Sequence, residues 1–182
     1  MRLEDVRKTL RKFGDLVILE AKRELKTQGK DVTGNLSNSL EAKLGEDEKT
    51  FILNFLGLQY GKYIDKGVKG AVKPYGGKDA AKQPYDKKTV YAYTDKMPPP
   101  SKLDKWIVRK GLAPRQKGKF TGRKISTVGF EKSIQFLVAK SIYSKGLKAS
   151  LFFTKPFEKH LIALEKELFN HFEVSIDKVF KK

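Results

Sequence analysis

The sequence predicts an α+β protein: a small antiparallel or mixed sheet packed against long N- and C-terminal helices, with long basic loops. Three patterns carry that prediction. Leu3, Val6, Leu10, Phe13, Val17, Ala21 and Leu25 recur at intervals of 3, 4, 3, 4, 4 and 4, which is one stripe of a helix. Phe157, Leu161, Leu164, Leu168, Phe172, Ile176 and Val179 repeat the pattern at 4, 3, 4, 4, 4 and 3. Between them, Leu40, Ala42 and Leu44 alternate with Ser39, Glu41 and Lys43, the period of a half-buried strand.

The first helix occupies residues 2–27 and stops before Gly29; Gly14 weakens its middle by up to ~1 kcal/mol. Residues 30–36 form a polar link with Gly34-Asn35 as turn chemistry. After the first strand, Gly45-Glu46-Asp47-Glu48 supplies a turn. Thr50 to Leu56 is short and strongly apolar, hence a buried strand completing a β-hairpin. Tyr60-Gly61-Lys62-Tyr63-Ile64-Asp65-Lys66-Gly67 suits one helical turn with Tyr60, Tyr63 and Ile64 on a single side. From Gly67 to Lys88 the composition is that of a loop, and Thr89 to Thr94 is expected to rejoin the sheet as a strand.

Pro98, Pro99 and Pro100 favour an extended lead-in to a short helix. Ser101 is its N-cap, Asp104 complements the helix dipole, Leu103, Trp106 and Ile107 share a face, and Gly111 ends it. Residues 113–127 are again loop-like and basic. Phe130, Ile134, Leu137, Val138 and Ile142 mark a helix over 129–145, closed by Gly146. Leu147 to Phe153 suits a short strand or extended run. Pro156 then opens the last helix in its first turn, where proline is tolerated; about 25 residues give ~37 Å of length. Both end helices are too clearly striped to stand alone and require a partner surface, the sheet or a neighbouring subunit.

A chain of 182 residues and 20.7 kDa suits a single α+β domain over 1–182, with flexible basic insertions at about 68–88 and 113–127. It contains no cysteine, which excludes disulfides, thiolate metal sites and a cysteine nucleophile. No apolar run approaches the ~20 residues of a membrane span, and no membrane partner is expected. The N-terminal segment lacks the apolar stretch of a signal peptide, so the expected setting is a reducing cytoplasm. The net charge is +18, and residues 61–127 alone hold 18 Lys/Arg against 5 Asp/Glu. A field of that sign attracts polyanions, whether nucleic acid, an anionic membrane surface or an acidic protein partner.

Residues that carry catalysis are not assembled in any familiar pattern. His160 and His171 lie eleven residues apart on one predicted helix, about 16 Å by helical rise, too far to share a metal. Glu46-Asp47-Glu48 lacks the alternating oxygen spacing of a calcium loop. The segment Gly70 to Lys78 lacks the Gly-Lys-Ser/Thr ending of a phosphate loop. No Gly-x-Ser-x-Gly elbow occurs. Neither an enzyme nor a cofactor is expected. Tyr75, Tyr85, Tyr91, Tyr93 and Phe120 interleave with lysines, a composition that suits salt-sensitive, backbone-only contact with nucleic acid.

Four segments, in this order, resemble the minor neck and tail-completion proteins of long-tailed bacteriophages. They are Thr33-Gly34-Asn35-Leu36-Ser37-Asn38-Ser39-Leu40, Tyr60 through Gly67, Met97-Pro98-Pro99 through Trp106-Ile107 to Lys110-Gly111-Leu112, and Phe136 through Phe153. The resemblance covers most of the chain; segments 68–88 and 113–127 are longer and more basic than the family pattern. It implies a homo-oligomeric ring, sixfold or twelvefold, at the virion neck, assembled in the host bacterial cytoplasm. Its neighbours would be an adjacent connector ring and tail-terminator or tail-tube proteins. The ring would join the DNA-filled head to the tail and leave a channel for the genome. Two alternatives stay open: a sequence-independent nucleic-acid-binding protein and a tail terminator.

On this reading the candidate subunit or partner contacts are Tyr60, Tyr63, Trp106, Ile107, Phe157, Leu161, Leu168 and Phe172. The candidate DNA-facing or partner-facing basic residues are Lys69, Lys73, Lys78, Lys82, Lys87, Lys88, Arg115, Lys117, Lys119, Arg123 and Lys124. Trp106→Ala is expected to cost about 3–5 kcal/mol by loosening the short helix, read as a lower denaturation midpoint. An unchanged midpoint would show an indole on the surface.

Overall fold

The computed structural model describes residues 3–47, 50–71, 89–103, 107, 115–116, 119–120 and 128–180, with the backbone alone for 115–116, 119–120, 128–133 and 171–180. The chain is α+β and forms two compact units. The first joins Met1–Gly61 with Leu151–Lys182, and the second is Lys62–Ser150.

In the first unit, α1 (Leu3–Thr27) and α5 (Thr154–Phe180) lie antiparallel. Two ion pairs cross between them, Lys12 Nζ to Glu167 at 3.0 Å and Lys159 Nζ to Glu20 at 2.7 Å. Against α1 packs a hairpin of β1 (Glu41–Asp47) and β2 (Thr50–Leu56), antiparallel with Glu41 opposite Leu56 and Asp47 opposite Thr50. Aromatic rings hold the three elements together. Phe13 meets Phe55 edge-on at 6.1 Å and Phe157 at 5.7 Å, while Phe55 meets Phe153 at 5.2 Å and Phe157 at 5.8 Å. Edge-to-face geometry of this kind adds roughly 0.5–1.5 kcal/mol per pair beyond area burial.

The helical stripe of α1 is displaced from the predicted one. Leu3 is 61% exposed, whereas Thr9, Gly14 and Ile18 join Val6, Phe13, Val17, Ala21 and Leu25 inside. Gly14 has a structural use that its low helix propensity hides. A Cβ there would sit 3.0 Å from the Ala42 Cβ and 3.3 Å from Leu53 Cδ1, so its absence lets the helix close on the hairpin.

Three local expectations are corrected in this unit. The polar link at 30–36 gives way at Asn35 to a short helix, α2 (Asn35–Ser39), in which the Ser37 and Ser39 hydroxyls donate to the carbonyls of Gly34 and Leu36. The turn expected at Gly45–Glu48 starts later: β1 runs through Asp47, and the Arg7 guanidinium forks onto Glu46 at 2.7 Å, which holds the strand end against α1. β2 is not buried on both sides. Phe51, Leu53 and Phe55 face the core, but Ile52 (55% exposed) and Leu56 (44%) face outward, because only one face of the hairpin is covered. α5 begins at Thr154 with Pro156 buried in its first turn, as the proline rule requires.

In the second unit, α3 (Gly61–Lys66) leads into β3 (Val68–Lys69), which pairs antiparallel with β6 (Gly146–Leu147). A 3-10 turn (Pro100–Leu103) packs on α4 (Val128–Lys145), and β4 (Arg115–Gln116) pairs with β5 (Lys119–Phe120). That last pair lies where a loop was expected. The strand expected at Thr89–Thr94 reduces to one parallel bridge, Ala92 to Lys69, because β3 is only two residues long and offers no further ladder. Of the short strand or extended run expected over Leu147–Phe153, Leu147 lies in β6 and residues 148–151 form no regular element. Of the short tryptophan helix, Pro100–Leu103 is a 3-10 turn and Ile107 is helical; Trp106 and Gly111 lie outside the described residues.

Backbone contact between 67–71 and 144–149 is unusually close. A Cβ on Gly146 (φ 82°) would fall 2.1 Å from the Val68 carbonyl oxygen, so any other residue would push the two segments apart. Phe13→Ala removes a ring that is only 6% exposed and touches both Phe55 and Phe157. The expected loss is about 3–5 kcal/mol, measured as a shift in denaturant midpoint.

Candidate functional site

Three segments of the second unit, 64–71, 89–94 and 143–150, are tied together by their backbones. The Lys69 N–H donates to the Tyr91 carbonyl at 2.8 Å, and the Tyr93 N–H donates back to the Lys69 carbonyl at 3.0 Å. The Ala71 N–H donates to the Tyr143 carbonyl at 2.8 Å, and Tyr143 Oη donates to the Thr94 carbonyl at 2.8 Å. The Ser150 N–H and hydroxyl both reach the Ile64 carbonyl, at 3.0 and 2.8 Å. Thr89 Oγ1 donates to the Gly67 carbonyl at 3.0 Å and accepts the Tyr91 N–H, a buried polar group with both roles satisfied. The second and fourth family-like segments, Tyr60–Gly67 and Phe136–Phe153, thus contribute to the same local framework.

That framework carries an aromatic and cationic surface. Tyr63 meets Tyr91 edge-on at 4.8 Å, and Lys62 Nζ stands 5.1 Å from one ring and 5.8 Å from the other. Val90 is exposed beside them in sequence, and Tyr93 is buried enough that its hydroxyl pKa is pushed up. Charge is partitioned between the units. Residues 62–150 hold 22 Lys/Arg and 6 Asp/Glu, a surplus of 16 out of the net +18; the rest of the chain is nearly balanced. The second unit therefore carries most of the chain's positive charge.

The predicted site residues fall into distinct groups. Tyr60 and Tyr63 are exposed; partial desolvation of the Tyr60 hydroxyl and then the nearby Asp31 carboxylate raise its pKa. Ile107 is 2% exposed and belongs to the core of the second unit. Phe157, Leu161 and Leu168 are half-buried on α5, and the Phe157 ring is committed to Phe13, Phe55 and Phe153 within the chain. Lys69 lies in β3, half-exposed. Arg115 and Lys119 lie in β4 and β5. Trp106, Lys73, Lys78, Lys82, Lys87, Lys88, Lys117, Arg123 and Lys124, and the side chain of Phe172, lie outside the described residues.

Sequence reasoning missed the outward apolar residues Leu19, Ile162 and Phe169 of the helix pair and Ile52 and Leu56 of β2. The signal was present in β2: its even-numbered positions had to face away from the phenylalanines. Among the described residues no group of His, Asp and Glu could hold a metal ion. Nor does any described helix have the length and apolarity to cross a membrane. His160 Nε2 lies 3.2 Å from Glu20 Oε1, in the shallow cleft between α1 and α5, but out of hydrogen-bonding alignment. Comparison with protein-family models, with curated proteins and with solved structures finds no match.

The Glu20 carboxyl is held below its usual pKa, first by the hydrogen bond from Lys159 and then by the charge of His160. A depressed carboxylate contributes stability above its unfolded pKa, ~4.3, and loses it as pH falls through the folded value. Glu20→Gln is therefore expected to lower the melting temperature slightly at neutral pH, the pair being surface-screened, and the two melting-temperature profiles should converge as pH falls below about 4.3.

Proposed function

We propose that this chain is a structural subunit of the head–tail junction of a long-tailed bacteriophage, one copy in a ring that joins head to tail around the genome channel. Supporting it are the order and spacing of the four family-like segments, together with the backbone framework that two of them share. The observation that carries most weight is the charge partition. A nearly balanced helix-and-hairpin unit offers surface for protein neighbours, while a unit with a surplus of 16 positive charges suits a passing duplex. Lysine-dominated contact neutralises phosphate without reading bases, so DNA is held loosely and slides. The mechanism is geometric: match one ring to the next, seal the joint and leave a passage. The setting that follows is the virion neck, after assembly in the bacterial cytoplasm.

The same charge partition also favours a second reading, a sequence-independent nucleic-acid-binding protein. Mass measurement separates the two. A discrete ring, or incorporation into particles at fixed copy number, favours the junction; tight duplex binding by a monomer favours the other. Particles assembled without the protein distinguish a joining role, which leaves filled heads and free tails, from tail termination, which leaves overlong tails.

Replacing Lys117, Lys119, Arg123 and Lys124 together by serine is expected to leave the circular dichroism spectrum intact and reduce infectious particle yield. For purified protein, the slope of log affinity against log salt on duplex DNA should become shallower by about 0.9 for each phosphate that is no longer neutralised. Wild-type yield with an unchanged slope would show that this charge only solubilises the protein.

A further inference from the structure

We infer that the outer edge of β2 is a pairing surface for β2 of a second copy of this chain, forming a twofold sheet of order β1-β2-β2-β1. The hairpin is a two-stranded sheet, and among the described residues no strand pairs with its outer edges. Asp47 and Thr50 face each other across a two-residue connection, the hairpin geometry in which that pair is hydrogen-bonded. Alternation then assigns Thr50, Ile52, Asn54 and Leu56 to β1. The N–H and C=O groups of Phe51, Leu53 and Phe55 point to the outer edge.

The two edges are treated differently by the sequence. β1 carries Glu41, Lys43, Glu46 and Asp47 in seven residues, the usual protection against edge pairing. β2, Thr-Phe-Ile-Leu-Asn-Phe-Leu, carries no charge and no proline, in a chain of which 33% is charged. An edge without such protection is a template for another strand.

The occupant follows from charge and register. Every other strand of two residues or more in the described structure except Gly146–Leu147 includes a charged residue, whereas a β2–β2 contact meets none. Antiparallel pairing with Asn54 on the twofold axis sets Ile52 opposite Leu56 of the other copy, and Leu53 opposite its Phe55. The two exposed apolar side chains of β2 thereby cover each other, the two Asn54 amides meet, and the outward N–H and C=O groups find partners. One strand edge buries less than the ~1,200–2,000 Å² of a standard interface, so the pair is reversible and concentration-dependent. The contact is isologous and thus separate from the heterologous contacts that close a ring.

The absence of cysteine makes the test direct. Asn54→Cys places one thiol on the twofold axis, and mild oxidation of the purified full-length protein should yield a disulfide-linked dimer. Lys43→Cys, opposite Asn54 on β1, puts the two thiols about three strand spacings apart, roughly 14 Å, and should give at least tenfold less linkage. Adding Ile52→Lys to Asn54→Cys should abolish the linkage without changing the circular dichroism spectrum. Sedimentation of the unsubstituted protein should show a concentration-dependent dimer whatever the variants do. Absence of linkage in a folded Asn54→Cys protein, or equal linkage through Lys43→Cys, overturns the pairing. Failure of linkage with normal entry into particles sinks the pairing alone; intact linkage with no entry into particles sinks the junction reading alone.

Discussion

The contact between Phe13, Phe55, Phe153 and Phe157 is the constraint from which the architecture of the first unit follows. It joins the N-terminal helix, the second strand of the hairpin and the start of the C-terminal helix, elements separated by as much as 144 residues. Closing so long a loop costs entropy only logarithmically in its length, so four rings and the stripe of α1 can offset it. The second unit is therefore an insertion in the topological sense: the chain leaves the first unit after Gly61 and returns at Leu151. Gly14 serves the same closure, since a side chain there would hold α1 off Ala42 and Leu53.

Charge follows that division. The first unit pairs its ions across α1, α5 and the hairpin, as with Arg7 and Glu46, Lys12 and Glu167, and Lys159 and Glu20. Exposed pairs of this kind contribute little stability individually. The second unit holds its form by another means, backbone hydrogen bonds and glycine-enabled close approach around β3 and β6.

How far the sequence could be read depended on the length of each pattern. The end helices and the hairpin repeat their periods over many residues, and they stand where the pattern put them. Thr89–Thr94 had the composition of a strand but met only Lys69, because strand propensity expresses the fit to a neighbour, and β3 ends after two residues. Ile107 looked like part of a docking face and is core, since a one-faced helix does not say which surface its face meets. Phe157 is likewise engaged inside the chain, where three other rings happened to be within reach.

By itself, the order of residues determined the α+β class, the two long helices, the hairpin, the missing thiols and the concentration of lysine in the middle of the chain. These are local or additive properties, set by periodicity and by counting. Only the tertiary structure decided that both chain ends build one unit, that Gly14 is a point of contact, and that β2 shows Ile52 and Leu56 to solvent from an uncovered face. Those outcomes depend on which surfaces meet across long separations, and a strand cannot know from its own residues whether one side or both will be covered.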